Sequence, residues 1–276
     1  MDRHLFFEYL NSITAFLESN YRDNLISIVL FGSLVNRNVR ITISTDADLL
    51  VILHDSCTSR DFKRIKRNLI EIESSLLPHL SAHESLFIRS LQSATGMFCN
   101  FFICRFSDFK RRNFNRVFNV NSFMGALLAP QNSVWLSLLS QHRILWGENV
   151  FREWETFPII TKYDLLRSFL MNCLLALGAL FLYPLHPQIT KFSMEAMKWS
   201  LFTWKNIYSD PSLPLNEIIT RFVVYTSELE QRALHDFVEY RKHKKPSKFF
   251  PLLAWIFAFQ LHRSIFQTMA EKSLEF

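Results

Sequence analysis

Metal-binding cysteine pairs are missing from this chain. Its 4 cysteines, Cys57, Cys99, Cys104 and Cys173, show no CxxC spacing and no accompanying histidine pattern. That argues against a structural zinc site and a disulfide framework, and makes a reduced, cytoplasmic setting the expectation. The opening stretch, MDRHLFFEYLNSITAFLESNYRDN, carries charges throughout and contains no apolar signal-peptide core. Glycine is nearly absent too, at 5 residues in 276, so each one raises the question of what the backbone needs there. There is no internal repeat and no low-complexity segment. Hydrophobic residues at 49% and charged residues at 20% exclude a disordered chain. A continuous membrane-length apolar run is also lacking. The most apolar segment, residues 169–183, is shorter than the roughly 20 residues a bilayer requires. Arg167 precedes it, and Pro184 and Pro187 close it. It reads as a buried helix, and no transmembrane segment is expected.

Phenylalanine, by contrast, is abundant at 28 residues, and the net charge is +6. A positive balance suits an anionic partner such as a nucleotide, RNA or a membrane surface. The length fits two compact domains or one large one.

Periodicity divides the chain. Residues 2–20 have helical spacing, with Phe6, Leu10, Ile13 and either Phe16 or Leu17 on one side. The β-branched run LISIVLF (25–31) reads as a buried strand and stops at Gly32-Ser33. ADLLVIL (47–53) forms a second strand, and a basic amphipathic helix over 59–77 stops at Pro78. A short strand over 84–91 and a stronger one over 97–106 complete a small α/β domain. The chain then changes character. Helical patterns cover 132–145, 162–183, 191–208, 215–240 and 251–272, with prolines between them. The expected architecture is α+β: a mixed-sheet domain over 1–118 followed by a helical bundle over 119–276.

The chemistry concentrates at two strand ends. A Gly-Ser turn lets the backbone approach phosphate oxygens, since glycine has no Cβ to obstruct them. Helix-start N–H groups just after it would face those oxygens, and the Ser33 hydroxyl adds a donor. Across from it, Asp46 and Asp48 are two apart on an extended segment, so both point to one face. Neighbouring carboxylates repel unless a cation lies between them. A divalent magnesium (or manganese) ion meets that need while also binding triphosphate oxygens. The reaction implied is displacement at phosphorus, with metal neutralising charge on the attacking and leaving oxygens.

Phe31-Gly32-Ser33 followed by Asp46-Ala47-Asp48-Leu49-Leu50-Val51 resembles the motif of the DNA polymerase β-type nucleotidyltransferase superfamily. The resemblance covers roughly residues 24–110. The helical remainder resembles, more loosely, the bundles of the stand-alone members, and RILWGENV (143–150) is similar to a stretch common in them. It implies an enzyme moving a nucleoside monophosphate from an NTP to a hydroxyl of a small molecule, a protein or an RNA. It also implies that Gly32 and Ser33 bind nucleotide and that Asp46 and Asp48 bind metal. A homodimer is among the assemblies this reading allows.

The sequence departs from the family at one place. A third carboxylate usually follows on a later strand, where it completes the metal site and often acts as general base. The matching position here is Asn100, whose amide can offer an oxygen but is neutral and a poor base. Glu84 and Asp108 flank that strand without occupying the position. A catalytically inactive nucleotide-binding or regulatory module, acting through a protein partner, therefore stands as the alternative. Bundle domains in this superfamily often lend a lysine to the triphosphate, and Lys198 is the candidate. An intrahelical pair with Glu195, three residues earlier, accounts for it as well. Trp199, Phe202 and Trp204 read as core.

Overall fold

The computed structural model describes residues 3–35, 48–77, 100–154, 156–184, 186, 189–224, 226–243 and 247–272. The chain forms two compact units, one built from residues 1–126 and 141–157, the other from 127–140 and 158–276. The sequence reading expected a single boundary at 118/119. The chain instead crosses between units three times, because a late strand belongs to the first unit's sheet.

In that first unit, helix α1 (Arg3–Tyr21) leads into strand β1 (Leu25–Phe31). Strand β2 (Asp48–Leu53), helix α2 (Ser59–Leu76) and strand β3 (Phe101–Arg105) follow. The short helices α3 (Phe106–Lys110), α4 (Phe114–Val117) and α5 (Ser122–Leu127) come next. The sheet order is β3-β2-β1 and then a fourth strand, β4 (His142–Gly147), which comes after helix α6 (Gln131–Ser140) of the second unit. β1 is antiparallel to both neighbours, and β2 runs parallel to β3. Phe6, Leu10, Ile13 and Leu17 of α1 form the expected apolar stripe. They pack with Ile65 and Leu69 of α2 over Leu49, Val51 and Leu53. Burial of such side chains stabilises by about 1.5–3 kcal/mol each. α2 starts at a capping box in which Thr58 and Asp61 satisfy each other's backbone N–H groups.

The helix expected over 132–145 is a correction. It ends at Ser140, and His142–Gly147 pairs with β1. β1 is buried along nearly its whole length, and β2 satisfies only one of its two edges, so hydrogen bonding to a second strand overrides helical periodicity. Gly147 makes the approach feasible: its φ is +82, and a Cβ there would lie 2.1 Å from the Ile26 carbonyl oxygen.

The second unit is helical: α6, α7 (Lys162–Leu182), α8 (Thr190–Tyr208), α9 (Leu215–Val223), α10 (Glu228–His243) and α11 (Phe250–Lys272). The single helix expected over 215–240 is two. Ser227 and Glu230 form a reciprocal cap that restarts the chain as α10. α7, α8 and α11 pack on one another, and Trp204 and Phe202 line the core as expected. Among the described residues α7 is the one helix long and apolar enough to cross a membrane, by length and composition only, with mean hydropathy 1.9. It starts seven residues before the apolar run. Its buried positions include Asp164, Ser168 and Asn172, which bond within the unit. A membrane crossing is not required to account for it.

Candidate functional site

β1 ends at Phe31 because the next residue, Gly32, turns with φ +80, a left-handed conformation that glycine adopts without strain. The register sets Phe31 opposite Asp48, the first residue of β2. The Asp48 carboxylate leans across the turn so closely that a Cβ on Gly32 would sit 2.8 Å from its Oδ2. Glycine thus serves twice here, once for its backbone angle and once for the room it leaves a carboxylate. The Gly32 N–H donates to the Gln141 carbonyl at 3.3 Å, which fastens the turn to the start of β4. After it comes a three-residue 3-10 turn, Ser33–Val35, rather than an α-helix within the described residues. Asp46 lies outside the described residues, as does Glu84.

Asn100 is brought to the same end of the sheet. Its carbonyl accepts from the Leu49 N–H at 2.8 Å, and Leu49 stands in register with Phe101, so Asn100 and Asp48 precede paired residues on adjacent strands. Its side chain makes a contact that sequence reasoning missed. Nδ2 donates to Glu73 Oε1 at 2.6 Å, and the Tyr9 hydroxyl donates to that oxygen at 3.3 Å. Glu73 is buried in the last turn of α2. A signal was available in the sequence: Ile65, Leu69 and Glu73 are four apart, which places a carboxylate on the apolar stripe of an amphipathic helix. Buried carboxylates need hydrogen-bonding partners, so that pattern announces a polar contact.

The remaining candidates sit elsewhere in the chain's economy. Lys198 belongs to the second unit and is tied to Glu195, with Nζ 2.8 Å from one carboxylate oxygen and 2.9 Å from the other. The intrahelical pairing weighed from the sequence is therefore present. Asp108 lies in α3, after β3. In the basic run at 110–112, the Arg112 guanidinium stacks over Trp154 at 4.2 Å and donates to the Thr156 carbonyl. Among the described residues no three His, Cys, Asp or Glu side chains gather as a metal cluster. What the site does offer is a hard oxygen donor, Asp48, set against the Gly32 turn, with the Asn100 amide at the head of the neighbouring strand. Oxygen donors of this type fit magnesium or manganese rather than softer metals.

No protein-family model matches this chain, and no curated protein matches it. Among solved structures the chain is similar to the spectinomycin adenyltransferase AAD(9) from Enterococcus faecialis, determined with ATP and spectinomycin. The TM-score is 0.52 and the identity 13%, over 93% of this chain and 98% of that chain. Identity this low speaks for the fold. The α+β expectation, a mixed sheet accompanied by a helical unit, is borne out.

Proposed function

We propose that a chain with this fold transfers a nucleoside monophosphate from an NTP to a hydroxyl group of an acceptor. The observation that carries the reading is the Asp48 carboxylate set against the left-handed Gly32 turn, at the strand end the motif calls for. Gly32 would let the backbone approach the triphosphate, and Ser33 would add contacts from the turn after it. Asp46 and Asp48 would hold a divalent cation. When bound, such an ion neutralises charge on the phosphoryl oxygens and on the leaving group. Asn100 would supply an oxygen at the third position. Lys198, paired with Glu195, is the nucleotide-binding candidate of the helical unit. A cytoplasmic setting, without a transmembrane span, fits this chemistry.

The absence of a carboxylate at position 100 favours a second reading, in which the protein binds nucleotide without turnover and acts on a protein partner. The two are separated by incubating the chain with magnesium, each α-labelled NTP and a panel of hydroxyl acceptors. Transfer is expected. Asp48→Ala and Asp46→Ala should each reduce it at least about 100-fold, the scale of losing one electrostatic stabiliser of a transition state. Saturable nucleotide binding with no transfer in the native chain would decide for the second reading.

A further inference from the structure

Asn100 is not simply a lost carboxylate, because a carboxylate stands directly behind it. Glu73 Oε1 lies 2.6 Å from Asn100 Nδ2 and 3.3 Å from the Tyr9 hydroxyl. A free asparagine amide can face a ligand with its oxygen or its nitrogen, and the two orientations have opposite consequences. An oxygen coordinates a cation, whereas an NH2 repels one. A carboxylate accepts hydrogen bonds only, so it selects the orientation in which the amide nitrogen points inward. The trigonal geometry of the amide then turns Oδ1 away from Glu73.

We propose that Glu73 is a positioning residue that pins the Asn100 amide oxygen-outward, so that the pair delivers one oxygen donor to the third position of the site. The inference rests on the nucleotidyltransferase reading and deepens it. In this arrangement the negative charge has moved one hydrogen bond back, from the strand to helix α2. Tyr9, from α1, holds Glu73 in place. Residues 73 and 100 are thereby matched: an aspartate at 100 would bring two carboxylates to hydrogen-bond distance, which is unfavourable for both.

The test uses Mn2+ with a non-hydrolysable ATP analogue, following free Mn2+ by electron paramagnetic resonance, alongside thermal melts. In Glu73→Gln, both flips of Asn100 are satisfied by the new amide, so folding survives while the orientation is no longer selected. The expected result is a melting temperature near that of the native chain with Mn2+ affinity reduced about tenfold or more, the usual scale for groups that orient a metal ligand. Asn100→Asp alone should melt lower. The double variant carrying Glu73→Gln and Asn100→Asp should regain both stability and Mn2+ binding, since the new amide can donate to the new carboxylate. Unchanged Mn2+ affinity in Glu73→Gln overturns the inference while leaving the transferase reading intact. So does an Asn100→Asp variant as stable as the double. A native chain that takes up no Mn2+ with the nucleotide overturns both.

Discussion

Gly32 carries two constraints at once: a φ of +80 and a carboxylate oxygen where its Cβ would be. Replacing it by alanine forces an L-residue into the left-handed region at a cost of about 1–3 kcal/mol. The same change pushes the Asp48 side chain from its place. Gly32→Ala should therefore lower the denaturation midpoint in urea and also weaken Mn2+–nucleotide binding. A variant that loses stability but binds as before would separate the turn from the site. Gly147 has a similar angle, yet what crowds it is the backbone of β1, so it serves the sheet. Much of this was legible in the sequence. Gly32 and Asp48 announce themselves because the chemistry demands those residue types at a strand end. Glu73 did not stand out, because its meaning depends on Asn100, 27 residues later and on a different element. Spacing along one helix shows that a carboxylate is buried and leaves its partner unnamed.

At the scale of elements, the three helices α7, α8 and α11 enclose a polar group that sets a pH limit on the second unit. His262 is fully buried, and its Nδ1 lies 2.8 Å from the Ala258 carbonyl, so that nitrogen carries the proton. Its Nε2 is left to accept from Ser168, 3.1 Å away, and Ser168 is 2.6 Å from Thr203. Burial lowers the imidazole pKa to about 4, against the partial opposition of the Ala258 bond. The unfolded chain, with an ordinary value near 6.5, takes up the proton first. Stability from this group is complete above about pH 6.5 and is lost as pH falls toward 4. The loss is roughly 1.4 kcal/mol per pH unit, about 3 kcal/mol in all. Melts from pH 7.5 to 4.5 should show this slope, and His262→Phe should flatten it; an unchanged slope in the variant would assign the acid sensitivity elsewhere. Elements were legible where periodicity was long and uninterrupted, as in α1, α2, α7 and α8. They were misread where tertiary pairing or a cap decided. The segment over 142–147 became a strand because β1 had an edge to fill, and the helix over 215–240 broke because Ser227 and Glu230 cap a new start.

For the whole molecule, the division of the chain differs from a cut between a sheet domain and a bundle. Residues 1–118 lack β4, so that fragment would leave one edge of β1 with unpaired N–H and C=O groups. Expressed alone, it should be insoluble or lack a cooperative melt, whereas a fragment over 1–157 should fold. Circular dichroism of both fragments checks this. A cooperatively melting 1–118 fragment would show that β4 is dispensable to the sheet. The fold class itself was legible from the alternation of strand and helix patterns in the first third and their absence afterwards.

The late arrival of β4 also matters while the protein is being made. β1 leaves the ribosome early, and the strand that covers its second edge is translated more than a hundred residues later. At ordinary elongation rates that interval is on the order of ten seconds. Throughout it, a long apolar strand waits half-covered in a crowded cell, a nascent-chain hazard that chaperone capture or slowed growth temperature would relieve.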